Sequence, residues 1–298
     1  MWEQLLSGIR HGELKALARS ISLVENEFEG YELMLQTLPN SQTKVIGITG
    51  PPGAGKSTLV DAMIDDFVKH GKKVGVLCVD PSSPFNQGAL LGDRIRMSEW
   101  YTHPDVYIRS LATRGSMGGL HPKIIEITDL MKSFSFDHII VETVGVGQSE
   151  IEIAGLADVT VVVLVPEAGD EVQTMKAGLM EIADLFVVNK ADRPDADTFV
   201  RNLNQMLAPS FRSHYQDVKV VKTIASTKEG IPELIKILSH QLQKAHLTDK
   251  RFWLIAERAY HLIQQKRMKD INKEELKKEI EKTYPKGGFN LYRFIENL

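Results

Sequence analysis

Eight contiguous residues, GPPGAGKS at positions 50–57, satisfy the pattern G-x-x-x-x-G-K-[ST], and the apolar run 45–48 leads directly into them. A buried strand that delivers the chain into a glycine-rich turn, followed by a helix whose first N–H groups lack partners, builds a cradle for phosphate oxygens. In such a cradle the N–H groups of residues 53–58 surround the α- and β-phosphates. Lys56 reaches the β- and γ-phosphates, and the Ser57 hydroxyl is a ligand for Mg²⁺. The expected phosphate-binding residues are therefore Gly50, Pro51, Pro52, Gly53, Ala54, Gly55, Lys56, Ser57 and Thr58.

The rest of the chain agrees with that start. Short β-branched runs at 45–48, 74–79, 106–108, 138–141, 159–165, 185–188 and 218–224 alternate with segments of helical spacing. Near-continuous apolar runs suit strands buried on both faces, so the expected fold class is α/β, with a mostly parallel P-loop NTPase sheet sandwiched by helices. Residues 1–42 carry Leu5, Ile9, Leu14, Leu17 and Ile21 at helical spacing and read as an N-terminal helical extension. Residues 43–240 form the nucleotide domain. From 241 the strands stop, and a broad apolar stripe over 252–263 precedes a lysine- and glutamate-rich stretch, so 241–298 read as a C-terminal helical arm.

Composition excludes several functions. A net charge of −3 leaves no basic excess for nucleic acid. One cysteine, Cys78, in an expected strand rules out a disulfide framework and a cysteine metal cluster. The first residues lack a basic start and a long apolar core, and the run 159–165 is too short to span a bilayer, so a cytoplasmic protein with no membrane segment is expected.

Phosphate loops serve ATP and GTP alike. The choice of base is carried by Asn189-Lys190-Ala191-Asp192, an N-K-x-D sequence directly after the run 185–188. A carboxylate accepts hydrogen bonds from guanine N1–H and the exocyclic amine, and adenine has neither donor. Asp192 is thus expected to select guanine, Lys190 to lay its stem along the base, and Asn189 to hold the loop. The last base loop is expected at Ile224, Ala225 and Ser226, with the Ala225 N–H meeting guanine O6.

Acidic residues at expected strand ends supply the metal site. Glu142 closes the run 138–141, Asp80 ends 74–79, and Asp93 lies in GDRIRM; with Ser57 they make an oxygen-ligand set. The Gly145 N–H would meet the γ-phosphate. Val146 stands where Ras-type GTPases carry their water-orienting glutamine, so slow intrinsic hydrolysis is expected, with Gln148 the nearby candidate for that task. The catalytic residues expected are Lys56, Glu142, Gly145 and Gln148. Arg94, Arg96 and Arg114 are candidate charge stabilisers.

In order, GPPGAGKST, VDPSSP, GDRIRM, TRGSMGGL, VETVGVGQSE and NKAD closely resemble the MeaB/ArgK/MMAA family of P-loop GTPases within the SIMIBI class. The resemblance implies a Mg²⁺-dependent GTPase chaperone that gates cofactor loading and protects an adenosylcobalamin-dependent acyl-CoA mutase of the methylmalonyl-CoA mutase type. It matches the Mg²⁺-site acids to Asp80, Asp93 and Glu142. It also implies a homodimer built on the C-terminal helices, and an adenosyltransferase as a further partner. The alternative is a nucleotide-dependent kinase or ATPase serving lysine/arginine/ornithine transport, which the base-selecting Asp192 weighs against.

Overall fold

The computed structural model describes residues 1–80, 97–113, 120–143, 149–168, 180, 182–207, 218–244, 249–268, 270–284 and 289–296. The chain divides into two compact units, Met1–Leu254 and Ile255–Leu298.

Every expected apolar run becomes a strand: β1 Lys44–Thr49, β2 Val74–Asp80, β3 Val106–Ala112, β4 His138–Glu142, β5 Val159–Leu164, β6 Leu185–Val188 and β7 Lys219–Lys222. They form one sheet in the order β3-β2-β4-β1-β5-β6-β7, and each neighbouring pair is parallel. Parallel neighbours need crossover connections, and helices supply them. Two strands are shorter than their apolar runs. β5 stops at Leu164, and Pro166, which has no N–H for a ladder, opens a 3-10 turn. β7 stops at Lys222 because Ile224 turns to bridge Glu229 in antiparallel fashion.

From β1 the chain crosses to β2 on one side, and from β5 it crosses to β6 on the other. Adjacent strands whose connections diverge open a crevice beyond their carboxyl ends, and ligands bind there in open α/β sheets. The phosphate motif follows β1 and the N-K-x-D motif follows β6, so both lie at that edge.

Helices cover both faces. Counting the helices described, α1 is Trp2–Arg10, α2 Leu14–Glu25, α3 Tyr31–Gln36, α4 Lys56–Lys69, α5 Ile124–Met131, α6 Ser149–Leu156, α7 Ala196–Leu207 and α8 Ile231–Lys244. Leu59, Val60, Met63, Ile64 and Phe67 of α4 join Ile46, Ile48 and Val76 of the sheet and Leu234 and Leu238 of α8 in one core. Phe199, Leu203 and Leu207 of α7 pack with Val162, Phe186 and Val188 in another.

The N-terminal helices bury Ile9, Leu17, Ile21 and Val24 completely. Their attachment is also ionic: the Arg109 guanidinium of β3 lies 2.7 Å from Glu25, and the Lys123 ammonium 2.9 Å from Glu27. Beyond α8, helix α9 is Asp249–Arg267, α10 Lys273–Thr283 and α11 Leu291–Glu296. Asn272 caps α10, its side chain accepting from the Glu274 N–H at 2.8 Å. No helix among the described residues is long and apolar enough to cross a membrane.

Candidate nucleotide site

The phosphate loop is shaped by glycines in backbone conformations that side chains resist. Gly50, Gly53 and Gly55 have φ of 138°, 80° and 86°. A Cβ at Gly50 would sit 2.1 Å from the Val163 carbonyl oxygen, and one at Gly55 2.5 Å from Asn189 Nδ2. Gly55 caps α4, so the first turn of that helix opens onto the loop. Lys56 is buried and folds back over the loop, its ammonium donating to the Gly50 carbonyl at 2.8 Å and the Pro51 carbonyl at 3.1 Å. Neutral carbonyls of the loop are thus among the acceptors that hold this cation.

Glu142 ends β4 in register with Ile48 of β1 and Cys78 of β2, and is 4% exposed. The Ser57 hydroxyl donates to its Oε1 at 2.7 Å. Two buried oxygen donors this close, one from the phosphate-loop helix and one from the adjacent strand, suit a hard divalent cation such as Mg²⁺. Beside them the Thr143 hydroxyl donates to Thr49 at 2.9 Å, joining the ends of β4 and β1. Asp80 ends β2 opposite Ala112 of β3, so the backbone brings it to the same edge. The Asp80 side chain, and Asp93, Gly145, Val146, Gln148, Arg94, Arg96 and Arg114, lie outside the described residues.

The base half of the site turns on one buried amide. Asn189 is 2% exposed, and its Nδ2 donates to the Ala54 carbonyl of the phosphate loop at 3.0 Å. Its Oδ1 accepts from the Thr223 hydroxyl and from the Ala225 N–H, each at 3.1 Å. All of these partners lie on the loops it joins, so Asn189 holds them together, as its motif position suggests. Lys190 has a left-handed φ of 55°, and its ammonium donates to the Gly53 carbonyl at 2.8 Å, which lays the side chain across the gap between the loops. Asp192 stands exposed at the rim.

The Ala225 N–H, the expected guanine O6 donor, donates to Asn189 Oδ1, and its loop is closed by the Ile224 N–H donating to the Glu229 carbonyl at 3.0 Å. Ser226 follows on the exposed side of that turn. Sequence reasoning also passed over Thr223 and the Thr49–Thr143 pair. The available signal was their place, each being a hydroxyl at or just past the end of a strand that feeds the site.

A parallel sheet with a glycine phosphate loop after its central strand and an N-K-x-D loop tied to it by the asparagine defines a guanine-nucleotide-binding P-loop protein. Residues 17–281 match the family model described as methylmalonyl Co-A mutase-associated GTPase MeaB, and the chain belongs to that family of P-loop GTPases. A Pyrococcus abyssi protein is 48% identical over 247 residues, which are 81% of this chain and 76% of that protein. The mouse methylmalonic aciduria type A homolog, named as mitochondrial, is 34% identical over 273 residues, 84% of this chain and 66% of that one. A crystal structure of a LAO/AO transport system kinase covers 99% of this chain and 95% of its own, with a TM-score of 0.67 and 24% identity, a likeness of fold.

Proposed function

We propose that this chain is a Mg²⁺-dependent GTPase that acts as a chaperone of an adenosylcobalamin-dependent acyl-CoA mutase, gating its cofactor loading and protecting it. The nucleotide half rests on one observation: the buried Asn189 amide that joins the base loop to the phosphate loop. The client rests on the family's description as mutase-associated and on the name of the mouse relative.

Phosphoryl transfer to water asks little covalent chemistry of a protein, so its residues act by position and charge. Lys56, now held by the Gly50 and Pro51 carbonyls, exchanges these neutral acceptors for β- and γ-phosphate oxygens. The N–H groups at the start of α4 face the β-phosphate. Ser57 and Glu142 would hold Mg²⁺, with Asp80 and Asp93 as further candidates; when bound, the ion would supply positive charge to offset that of the phosphates. Gly145 would donate its N–H to the γ-phosphate, and Gln148 would orient the attacking water. Asp192 would read guanine N1–H and the amine.

Intrinsic turnover is then slow and rises with the client. The exposed apolar residues Phe252, Trp253, Ile255, Tyr260 and Ile263 of α9 support a homodimer through this helix. The reading also carries an adenosyltransferase as a further partner and a cytoplasmic setting.

The test is GTP hydrolysis by the purified chain with and without the mutase of the same organism. Strong acceleration is expected, and, because coupling between the affinities of two ligands is reciprocal, a mutase that shifts nucleotide affinity should itself bind with an affinity that depends on the bound nucleotide. No acceleration and no complex in either nucleotide state would overturn the client assignment. Appearance of γ-phosphate label on a protein instead of in inorganic phosphate would point to the kinase alternative.

A further inference from the structure

The turn that carries Ala225 is held from outside the nucleotide site by a contact absent from every motif. Lys228 sits in this turn with a left-handed φ of 65°, and its N–H donates to the Ala225 carbonyl at 3.3 Å. Its side chain reaches back across the protein to α4, where the ammonium lies 3.0 Å from Asp65 Oδ2. Asp65 is mostly buried at 16% side-chain exposure and is shared with Lys69 at 2.6 Å. Asp61, one helical turn earlier, and Glu99 of the 3-10 helix Ser98–Thr102 add their negative charge around the same ammonium. Asp61 in turn accepts from the Trp100 indole N–H at 2.7 Å. Three elements thus meet at this junction: the phosphate-loop helix, the 3-10 helix and the base turn.

We propose that Lys228 is a positioning residue for guanine recognition, its ion pair with Asp65 pinning the 224–230 turn to the helix that begins at the phosphate loop. The inference rests on the guanine-site reading above and adds to it a second, external brace. Asn189 ties the two loops from the inside through Ala54, Thr223 and Ala225. Lys228 ties the far side of the same turn to α4, which anchors the turn from outside as well as from within. A loop fixed at one point swings, and a base pocket that swings loses hydrogen-bond geometry with guanine while leaving the phosphates in place. The charges agree with this role. The Asp65 hydrogen bond holds the Lys228 ammonium above its usual range. Burial pushes the Asp65 carboxyl up, but Lys69 and Lys228 together outweigh it and hold the group below the usual carboxylate range.

The measurement is GDP affinity by calorimetry together with kcat and KM for GTP, on Lys228→Arg, Lys228→Met, Lys228→Glu, Asp65→Asn and the Lys228→Met/Asp65→Asn double variant. In a slow hydrolase KM reports substrate affinity. Lys228→Met should raise the GDP Kd and the GTP KM about two- to fivefold, the range of a partly exposed ion pair. The kcat should stay within about twofold. Lys228→Glu should be worse, since it faces Asp61, Asp65 and Glu99. Lys228→Arg should restore the wild-type value, and the differences should shrink in about 1 M salt. The double variant should lose no more than the worse single variant, as expected of two partners in one contact. Unchanged GDP affinity in Lys228→Glu, strictly additive losses in the double variant, or a fall in kcat at constant KM would each overturn the proposal. A wild-type protein that fails to bind GDP would overturn the guanine-site reading itself, a separate result.

Discussion

The phosphate loop takes its shape from residues adjacent in the chain, whereas the base pocket is assembled from pieces far apart. Gly50, Gly53 and Gly55 fold the first by backbone conformation, and Lys56 closes it on carbonyls five and six residues away. The second has no such local logic. Asn189 must find Ala54, 135 residues distant, and Thr223, 34 residues distant, before the turn at 224–230 has a place to sit. Binding of phosphate is thus a local property of this chain, and choice of base is a tertiary one. Damage to each half should have a different signature.

The largest effect expected is on selectivity. Asp192→Asn removes the carboxylate proposed to pair with two guanine donors, and the ratio of GTP to xanthosine triphosphate turnover (kcat/KM) should fall by about 10⁴. Because Asp192 is exposed and the phosphate loop does not depend on it, kcat with the xanthosine nucleotide should approach that of the wild type with GTP. Retained guanine preference would show that the two halves are not divided as described.

Gly55→Ala attacks the seam between the halves. Its φ of 86° disfavours any side chain, and the new methyl would meet Asn189 Nδ2 at 2.5 Å. Displacement of both loops should cost about a hundredfold in kcat/KM for GTP and for the xanthosine nucleotide alike. Thr223→Val is milder: it deletes one of the two hydrogen bonds accepted by Asn189 Oδ1, and GDP affinity measured by calorimetry should drop about three- to tenfold.

The smallest effect serves as a control far from both loops. His138 opens β4 at the end of the sheet opposite the site and packs against Phe67 with the rings tilted and their centroids 4.7 Å apart. Burial holds its imidazole below the usual value of 6.5, with Asp137 pulling upward less strongly and Lys72 adding to the depression. The unfolded chain then binds the extra proton first. Stability is full above about pH 6.5 and declines as the pH falls below it. His138→Gln should flatten the decline in Tm below about pH 6.5 without changing GDP affinity, and an unchanged slope would place the titrating group elsewhere.

The strands and the glycine loop were legible because each is dictated over a few residues. Seven apolar runs became seven strands, and the disagreements were at ends: Pro166 cut β5, and Ile224 left β7 to pair with Glu229. The N-K-x-D motif was legible as a base loop, yet the use of the Ala225 N–H was not. That donor was read as a guanine contact, and its 3.1 Å bond to Asn189 Oδ1 forms only where the fold brings the two loops together. The Lys228–Asp65 contact had no signal at all, since a lysine in a turn and an aspartate on a helix are ordinary surface residues until the fold brings them to 3.0 Å. Helices α8 and α9 make the same point at larger scale. Both carry apolar residues at helical spacing, but α8 buries Ile231, Leu234, Leu238 and Leu242 while α9 leaves Phe252, Trp253 and Tyr260 exposed.

By itself the sequence determined the parallel α/β sheet, the glycine turn after β1 and the N-K-x-D loop after β6. Backbone sterics and hydrophobic periodicity act between near neighbours, so they are written locally. The sequence grouped Ser57 with Glu142 and gave Asn189 a loop-holding role, but the tertiary structure alone decided that Ser57 bonds Glu142 directly across 85 residues, which atoms Asn189 ties together, and that the base turn is braced from α4. Those contacts depend on the strand order β4-β1-β5-β6-β7 and on the register within it. Strand order and register arise from the packing of the whole sheet between its helices, which no single segment encodes.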